Sequence, residues 1–178
     1  MVSPAPAGRI PLAAHANTSS MEHPNPMASL RSSYDDFVAC VLSIPEAQFL
    51  SPLDGWAPRD VVAHLIGWNR FMIQACRSIL LGEPPAYYAD APNDYRNINA
   101  ALVEHYASRS RLQLLEELAA SMAEFENYLG GLPASELAAD RGITHYSGEP
   151  ATVGKIVRSL AGDYEHHTLQ INAWLAAR

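Results

Sequence analysis

Apolar residues recur with the spacing of an α-helix through most of the chain after residue 29, and no stretch shows the sustained alternation of a β-strand. The pattern predicts four helices, at 30–42, 58–81, from Asn93 or Asp94 to 129, and at 152–175. The third helix is expected to bend near residues 108–110, and Gly82 is expected to end the second.

The stretch 83–92 is rich in Pro, Ala and Tyr, which predicts a long crossover connection that shapes the rim of a pocket. An all-α fold follows: a four-helix bundle with one long crossover connection, formed by residues 29–178 as a single domain. Residues 1–28 have the composition of a disordered N-terminal arm and stand outside this prediction.

Composition limits the function classes. The chain has 178 residues, 48% hydrophobic and 17% charged, which is enough for one compact core. A net charge of -7 without clustered Lys and Arg predicts that nucleic acid is not a partner. Polar residues interrupt the most apolar stretch, 61–81, so no membrane span is expected, and without a signal-peptide core we expect a cytoplasmic protein. Cys40 and Cys76 are interpreted as buried, reduced thiols.

Three residues are candidates for one metal site. Asp163 and His167 are four residues apart in the last predicted helix, so their side chains lie one above the other on the same face. His64 shares a face of the second helix with Asp60 and Trp68. Because bundles build metal centres from facing helices, we expect His64, Asp163 and His167 to be the ligands.

These residues also belong to a wider pattern. Trp56, Asp60 and His64 are followed by Leu-Ile-Gly-Trp at 65–68, Asn99 lies near the start of the third helix, and Gln170 follows His167 by three positions. Over about 29–178 this order resembles the DinB-like four-helix superfamily. Within it, 93–137 is most similar to the ClbS and DfsB branch, and the last helix to the metal-binding DinB and mycothiol-dependent maleylpyruvate isomerase branches.

The resemblance implies a metal held by a His of the second helix and by two residues four apart on the last. Many members have His at both of the latter positions, whereas Asp163 here is similar to the carboxylate of the isomerase branch. It further implies a homodimer, and a low-molecular-weight thiol as cosubstrate. On chemical grounds, two imidazoles and one carboxylate suit zinc with a coordination position left open, and nickel or iron(II) would also accept them.

Three functions remain open at this point. The first is a thiol-dependent S-transferase or isomerase that acts on a small electrophile. For this function the sequence assigns no catalytic side chain. The second is a ClbS- or DfsB-like resistance protein that binds or hydrolyses a reactive small molecule without metal. The third is a non-catalytic, stress-related dimeric bundle.

Alternatives also remain for single residues. Asp163 can form a metal-free hydrogen-bonded cluster with His64 or His167, and a register shift would make His166 the ligand in place of His167. His145 is either a general acid or base at the pocket mouth or a solvated loop residue. Asp60 either caps the second helix or supports a ligand imidazole.

The tryptophans Trp56, Trp68 and Trp174 are interpreted as packing residues more readily than as a cage for a substrate.

Overall fold

The computed structural model describes residues 25–89 and 95–178, and within these ranges it is all-helical, as predicted. The α-helices in chain order are α1 (Pro26–Ser43), α2 (Pro58–Leu80), α3 (Arg96–His105), α4 (Arg111–Gly130) and α5 (Val153–Ala176). Short 3-10 turns in the connections lie at Glu46–Gln48, Ala86–Ala89 and Ala134–Leu137. None of the helices in the described ranges is long and apolar enough to cross a bilayer.

The two helices that form the site, α2 and α5, begin at residues that favour a helix start. Pro58 is the first residue of α2, where a missing N–H costs nothing, and the Asp60 carboxylate accepts a hydrogen bond from the Ala57 backbone N–H at 2.9 Å. Thr152 caps α5 by accepting from the Lys155 N–H at 3.1 Å. Gly82 follows α2 with a φ of +77°, a conformation that glycine adopts without strain.

The third predicted helix is two helices, so the predicted bend is in fact a break. Ser110 and Gln113 form a capping box: the Ser110 Oγ accepts from the Gln113 N–H at 3.3 Å, and the Gln113 Oε1 accepts from the Ser110 N–H at 2.9 Å. This reciprocal pair stabilises a new helix start and thereby ends the continuity of α3 and α4. The predicted caps Asn93 and Asp94 lie outside the described residues.

Two helix pairs build the bundle: α1 packs along α5, and α2 packs along α4 as well as α5, while the short α3 lies on α2. Large fully buried side chains from all four long helices fill the centre, among them Phe37, Leu65, Phe125 and Tyr164. Most of the predicted arm, residues 1–24, lies outside the described ranges, and 26–28 form the start of α1.

A polar network crosses this core. The Tyr164 hydroxyl donates to the Asn69 Oδ1 at 3.0 Å, and the Asn69 Nδ2 donates to the Ser121 Oγ at 2.9 Å. Since α5, α2 and α4 contribute one residue each, the network joins three helices with directional bonds. Buried hydrogen bonds of this kind fix the rotation of each helix about its axis, which apolar packing alone does less strictly.

Candidate metal centre

The three predicted ligands come together where α2 faces α5. The His64 Nε2 lies 3.1 Å from the Asp163 Oδ2, and the His167 Nε2 lies 3.5 Å from the Asp163 Oδ1. One donor atom from each residue lies within 4.8 Å of the other two. The imidazoles are 5% and 8% exposed, so the carboxylate bridges two nearly buried rings.

His167 is oriented by a second residue of its own helix. The Gln170 Oε1 lies 2.9 Å from the His167 Nδ1. A carbonyl oxygen only accepts, so Nδ1 carries the hydrogen and the neutral ring turns the Nε2 lone pair towards Asp163. Burial, opposed mainly by Asp163, lowers the pKa of His167, which keeps this ring neutral at pH 7.

The carboxylate is ionised at neutral pH. Burial raises the pKa of Asp163, but the hydrogen bond from His64 and the electrostatic attraction of His64 and of His167, the latter once acid has protonated it, outweigh burial, so the pKa lies below its ordinary value. The Nε2 lone pair of His167 and the Oδ1 of Asp163 are therefore two acceptors that face each other. A cation between two such atoms turns a repulsive contact into an attractive one.

His64 is held differently from His167. Its Nδ1 is buried and has no hydrogen-bond partner among the described residues. Instead, the ring is packed between Trp56, at a centroid distance of 5.1 Å, and Trp68, at 6.2 Å. Trp56 also stacks on His167 with an interplanar angle of 18°. His64 is thus positioned by its contact with Asp163 and by the indole rings, whereas His167 has an additional hydrogen bond with Gln170.

A cavity of about 490 Å³ opens beside the triad. This volume lies in the range of roughly 300–1,000 Å³ that is typical of small-molecule sites. Its wall includes Tyr87 from the connection after α2, which agrees with the prediction that this connection shapes a pocket rim.

The other candidates have distinct places. His166 is exposed and lies at the cavity, with its ring 5.2 Å from that of His167 but outside the group of three donors. His145 also lines the cavity; the Ser147 N–H donates to its Nδ1 at 3.1 Å, so the hydrogen of the neutral ring is on Nε2. Asp60 bonds to Ala57 and Arg59, has the capping role and does not line the cavity.

Two of the three tryptophans line the cavity, and the third does not. Trp56 and Trp68 line the cavity, which the sequence interpretation as packing residues did not predict. Trp174 donates from Nε1 to the Pro52 carbonyl at 2.9 Å and takes no part in the cavity wall. The proximity of Trp56 and Trp68 to His64 in sequence was the signal that could have identified them.

Comparison with known proteins agrees with the resemblance seen in the sequence. A family model described as the DinB superfamily matches residues 29–171. No curated protein sequence matches the chain significantly.

Several solved structures share the fold. ClbS, a colibactin self-resistance protein in complex with double-stranded DNA, is 15% identical with a TM-score of 0.70; the match covers 85% of this chain and 94% of ClbS. DfsB, described as a sibling lethal factor precursor, is also 15% identical at a TM-score of 0.70, over 88% and 98%. The mycothiol-dependent maleylpyruvate isomerase is 11% identical at 0.66, over 82% of this chain but 59% of the isomerase. At these identities the likeness shows the fold alone.

One prediction is corrected by these structures. The net charge and the lack of clustered Lys and Arg along the sequence were taken to exclude nucleic acid, yet ClbS, which has the same fold, was solved bound to double-stranded DNA. The exclusion was wrong because net charge sums over the whole chain and basic residues far apart in sequence can meet on the one face that contacts a nucleic acid.

Proposed function

The chain belongs to the DinB superfamily, and we propose that it binds one divalent metal ion through His64, Asp163 and His167 and acts as an enzyme on a small electrophile. The proposed cosubstrate is a low-molecular-weight thiol. One observation supports the metal site: two hydrogen-bond acceptors, the His167 Nε2 and the Asp163 Oδ1, face each other at 3.5 Å.

The donor set fits the ion. Two neutral imidazoles and a carboxylate are a set that binds zinc in catalytic sites, with nickel and iron(II) as further candidates. The Gln170 carbonyl oxygen, 2.9 Å from the His167 Nδ1, supplies the outer hydrogen bond that ligating histidines generally have. When bound, the ion would act as a Lewis acid that lowers the pKa of a thiol cosubstrate.

The protein's own residues account for the other requirements of such a reaction. Trp56 and Trp68 cover the two imidazoles and exclude water from the side of the triad that they face. His145 offers an Nε2–H donor at the cavity wall, on a ring whose pKa burial holds below its ordinary value. The indole rings are not nucleophiles, and the unprotonated Nδ1 of His145 already accepts a hydrogen bond from Ser147, which is consistent with a nucleophile supplied by a cosubstrate.

Elemental analysis of the untagged protein, prepared without chelator, tests the metal site directly. About one zinc, nickel or iron per chain is expected, and we expect this content to disappear in His64→Ala. A protein that holds no metal, even after incubation with zinc and dialysis, would overturn the proposal.

The thiol is tested separately on cobalt-substituted protein. A thiolate that enters the coordination sphere gives a new charge-transfer absorption in the near ultraviolet, so titration with cysteine or glutathione should produce such a band. Methionine, which has no thiol, serves as the control. A spectrum that none of these compounds changes would leave the metal site intact but remove thiol activation from the function.

A second candidate rests on a different observation. The His64–Asp163 contact at 3.1 Å is a satisfied hydrogen bond without any ion. If no ion occupies the triad, the cavity of about 490 Å³ beside it would bind or hydrolyse a reactive small molecule without metal, which is the function expected of a resistance protein. Retained ligand binding or hydrolysis in chelator-treated protein distinguishes this function from the first.

A further inference from the structure

The cavity has a wall of aromatic side chains next to the triad. We call this set the aromatic wall: Trp56, Trp68, Tyr87, Tyr95 and Tyr146. Trp68 lies at its centre, with ring centroids 5.6 Å from Tyr87 and 5.5 Å from Tyr95, both edge to face. Tyr87 and Tyr95 pack on each other at 5.8 Å. Rings that brace one another in this way present a preformed apolar surface to a ligand.

Charged side chains are scarce in this cavity. Among the described residues that line it, none is Lys, Arg or Glu, and the Asp163 carboxylate is directed at the two imidazoles of the triad. An anionic ligand group at the aromatic wall would therefore lose its hydration against ring faces that carry negative charge density, and no described Lys or Arg of the lining would pair with it. Since burying an unpaired charge is costly, the wall favours an uncharged group over an anion.

One polar side chain in the lining has a fixed orientation. The Trp68 Nε1–H donates to the Asn99 Oδ1 at 3.0 Å. An indole N–H can only donate, so the carbonyl end of Asn99 must face Trp68, and the Nδ2 is left as the end that can donate to a ligand. Asn99 is half-buried and lines the cavity, so a hydrogen bond from it to a ligand would be partly protected from water.

We propose that Asn99 and the aromatic wall select a flat, uncharged aromatic molecule that carries a carbonyl-type acceptor. Its ring packs on Trp68, Tyr87 and Tyr95, and its oxygen accepts a hydrogen bond from the Asn99 Nδ2. This inference rests on the proposed function in taking the cavity as the substrate site, and it names the class of electrophile. Binding at the wall does not itself require the metal.

The test uses the full-length protein and three naphthalene derivatives of similar shape. Isothermal titration calorimetry measures the affinity for three compounds. 2-Acetylnaphthalene carries the carbonyl acceptor, 2-ethylnaphthalene lacks it, and 2-naphthoate is an anion. We expect the ketone to bind about threefold to tenfold more tightly than the hydrocarbon, the range that one net hydrogen bond supplies. The anion should bind more weakly than the ketone in chelator-treated protein, where no metal ion can pair with its carboxylate.

Asn99→Asp keeps the acceptor for Trp68 and removes the amide donor, so we expect it to abolish the preference for the ketone. Asn97→Asp adds the same charge at an exposed position of α3 and should keep the preference. Equal affinity of the wild type for ketone and hydrocarbon, or tighter binding of naphthoate than of the ketone to chelator-treated protein, would overturn the inference. So would a preference that survives in Asn99→Asp.

Chelator-treated protein separates this inference from the metal site. The ketone preference is expected there even though the protein then holds no metal. A protein that binds zinc but shows no ketone preference refutes the aromatic-wall inference alone, and the reverse result refutes the metal site alone.

Discussion

The carboxylate of Asp163 lies between His64 of α2 and His167 of α5, with its Oδ2 3.1 Å from the first imidazole and its Oδ1 3.5 Å from the second. One side chain of the cavity lining thus links the two helices.

Loss of a ligand should abolish metal binding without unfolding the bundle. We expect His64→Ala and His167→Ala to hold less than about a tenth of the wild-type zinc after dialysis, because two remaining protein ligands are too few for a stable site. His166→Ala is the matched control, since that exposed neighbour lies outside the donor group. Circular dichroism checks that helix content is unchanged. Zinc loss in His166→Ala but not in His167→Ala would show that His166 is the ligand in place of His167.

The hydrogen bond between Gln170 and His167 should tune the affinity. Gln170→Leu removes the acceptor that fixes the His167 tautomer, and we expect zinc affinity to fall by about 10- to 100-fold. Gln170→Glu retains an acceptor oxygen and should bind close to wild type. Competition with a chromophoric chelator measures both. Equal losses in the two variants would mean that packing, and not the hydrogen bond, positions the ring.

Metal binding should persist to mildly acidic pH. The pKa of His167 is lowered by burial, so in the folded protein its proton competes with the metal only below about pH 6.5, its ordinary value. The pKa of Asp163 is also below its ordinary value, so the carboxylate stays ionised throughout this range. Zinc affinity measured from pH 8 to pH 5 should be nearly constant at first and then fall with acidity. A decline that is already complete at pH 7 would contradict this assignment.

The buried network of Tyr164, Asn69 and Ser121 should stabilise the bundle. Tyr164→Phe leaves the Asn69 Oδ1 without its donor, and we expect the free energy of unfolding to fall by about 1–3 kcal/mol. Tyr34→Phe is a fair control because this ring packs edge-on against Tyr164 at 5.7 Å. Urea unfolding of both proteins gives the comparison. Equal effects of the two substitutions would show that the network contributes no more than packing.

Two glycines of α5 should respond in opposite directions to alanine. A Cβ at Gly154 would lie 2.9 Å from the Leu137 carbonyl oxygen, so Gly154→Ala forces the connection before α5 to move and should destabilise the fold. A Cβ at Gly162 meets nothing within 4 Å, so Gly162→Ala should raise stability by about 1 kcal/mol through helix propensity. Thermal melts of both variants decide the matter. A stabilised Gly154→Ala would contradict the close approach.

The sequence was informative where a local rule governs the structure. The i, i+4 spacing placed Asp163 and His167 on one face, and Pro58 and Thr152 marked the starts of the helices that carry the triad. The break before α4 was predicted only as a bend, although Ser110 and Gln113 have the spacing of a capping box.

Contacts between distant segments were not predictable in the same way. The Asn69–Ser121 and Tyr164–Asn69 hydrogen bonds join residues 52 and 95 positions apart, and no periodicity in the chain predicts such partners. The orientation of Asn99 likewise depends on Trp68, 31 positions away. Side-chain roles that depend on tertiary pairing became visible only in the folded chain.

The core network and the cavity share neighbouring residues. Asn69 follows Trp68 in α2, and Tyr164 follows Asp163 in α5, so on each helix an anchor of the core stands beside a residue of the site. A helix turns by about 100° per residue, so one inserted or deleted residue between anchor and ligand would rotate one of them out of place. A change in the length of 64–69 or 163–167 should therefore be tolerated less well than a substitution at the positions between these residues. A change in the length of the connection 131–152 would leave both spacings intact but would displace His145 and Tyr146 of the cavity wall.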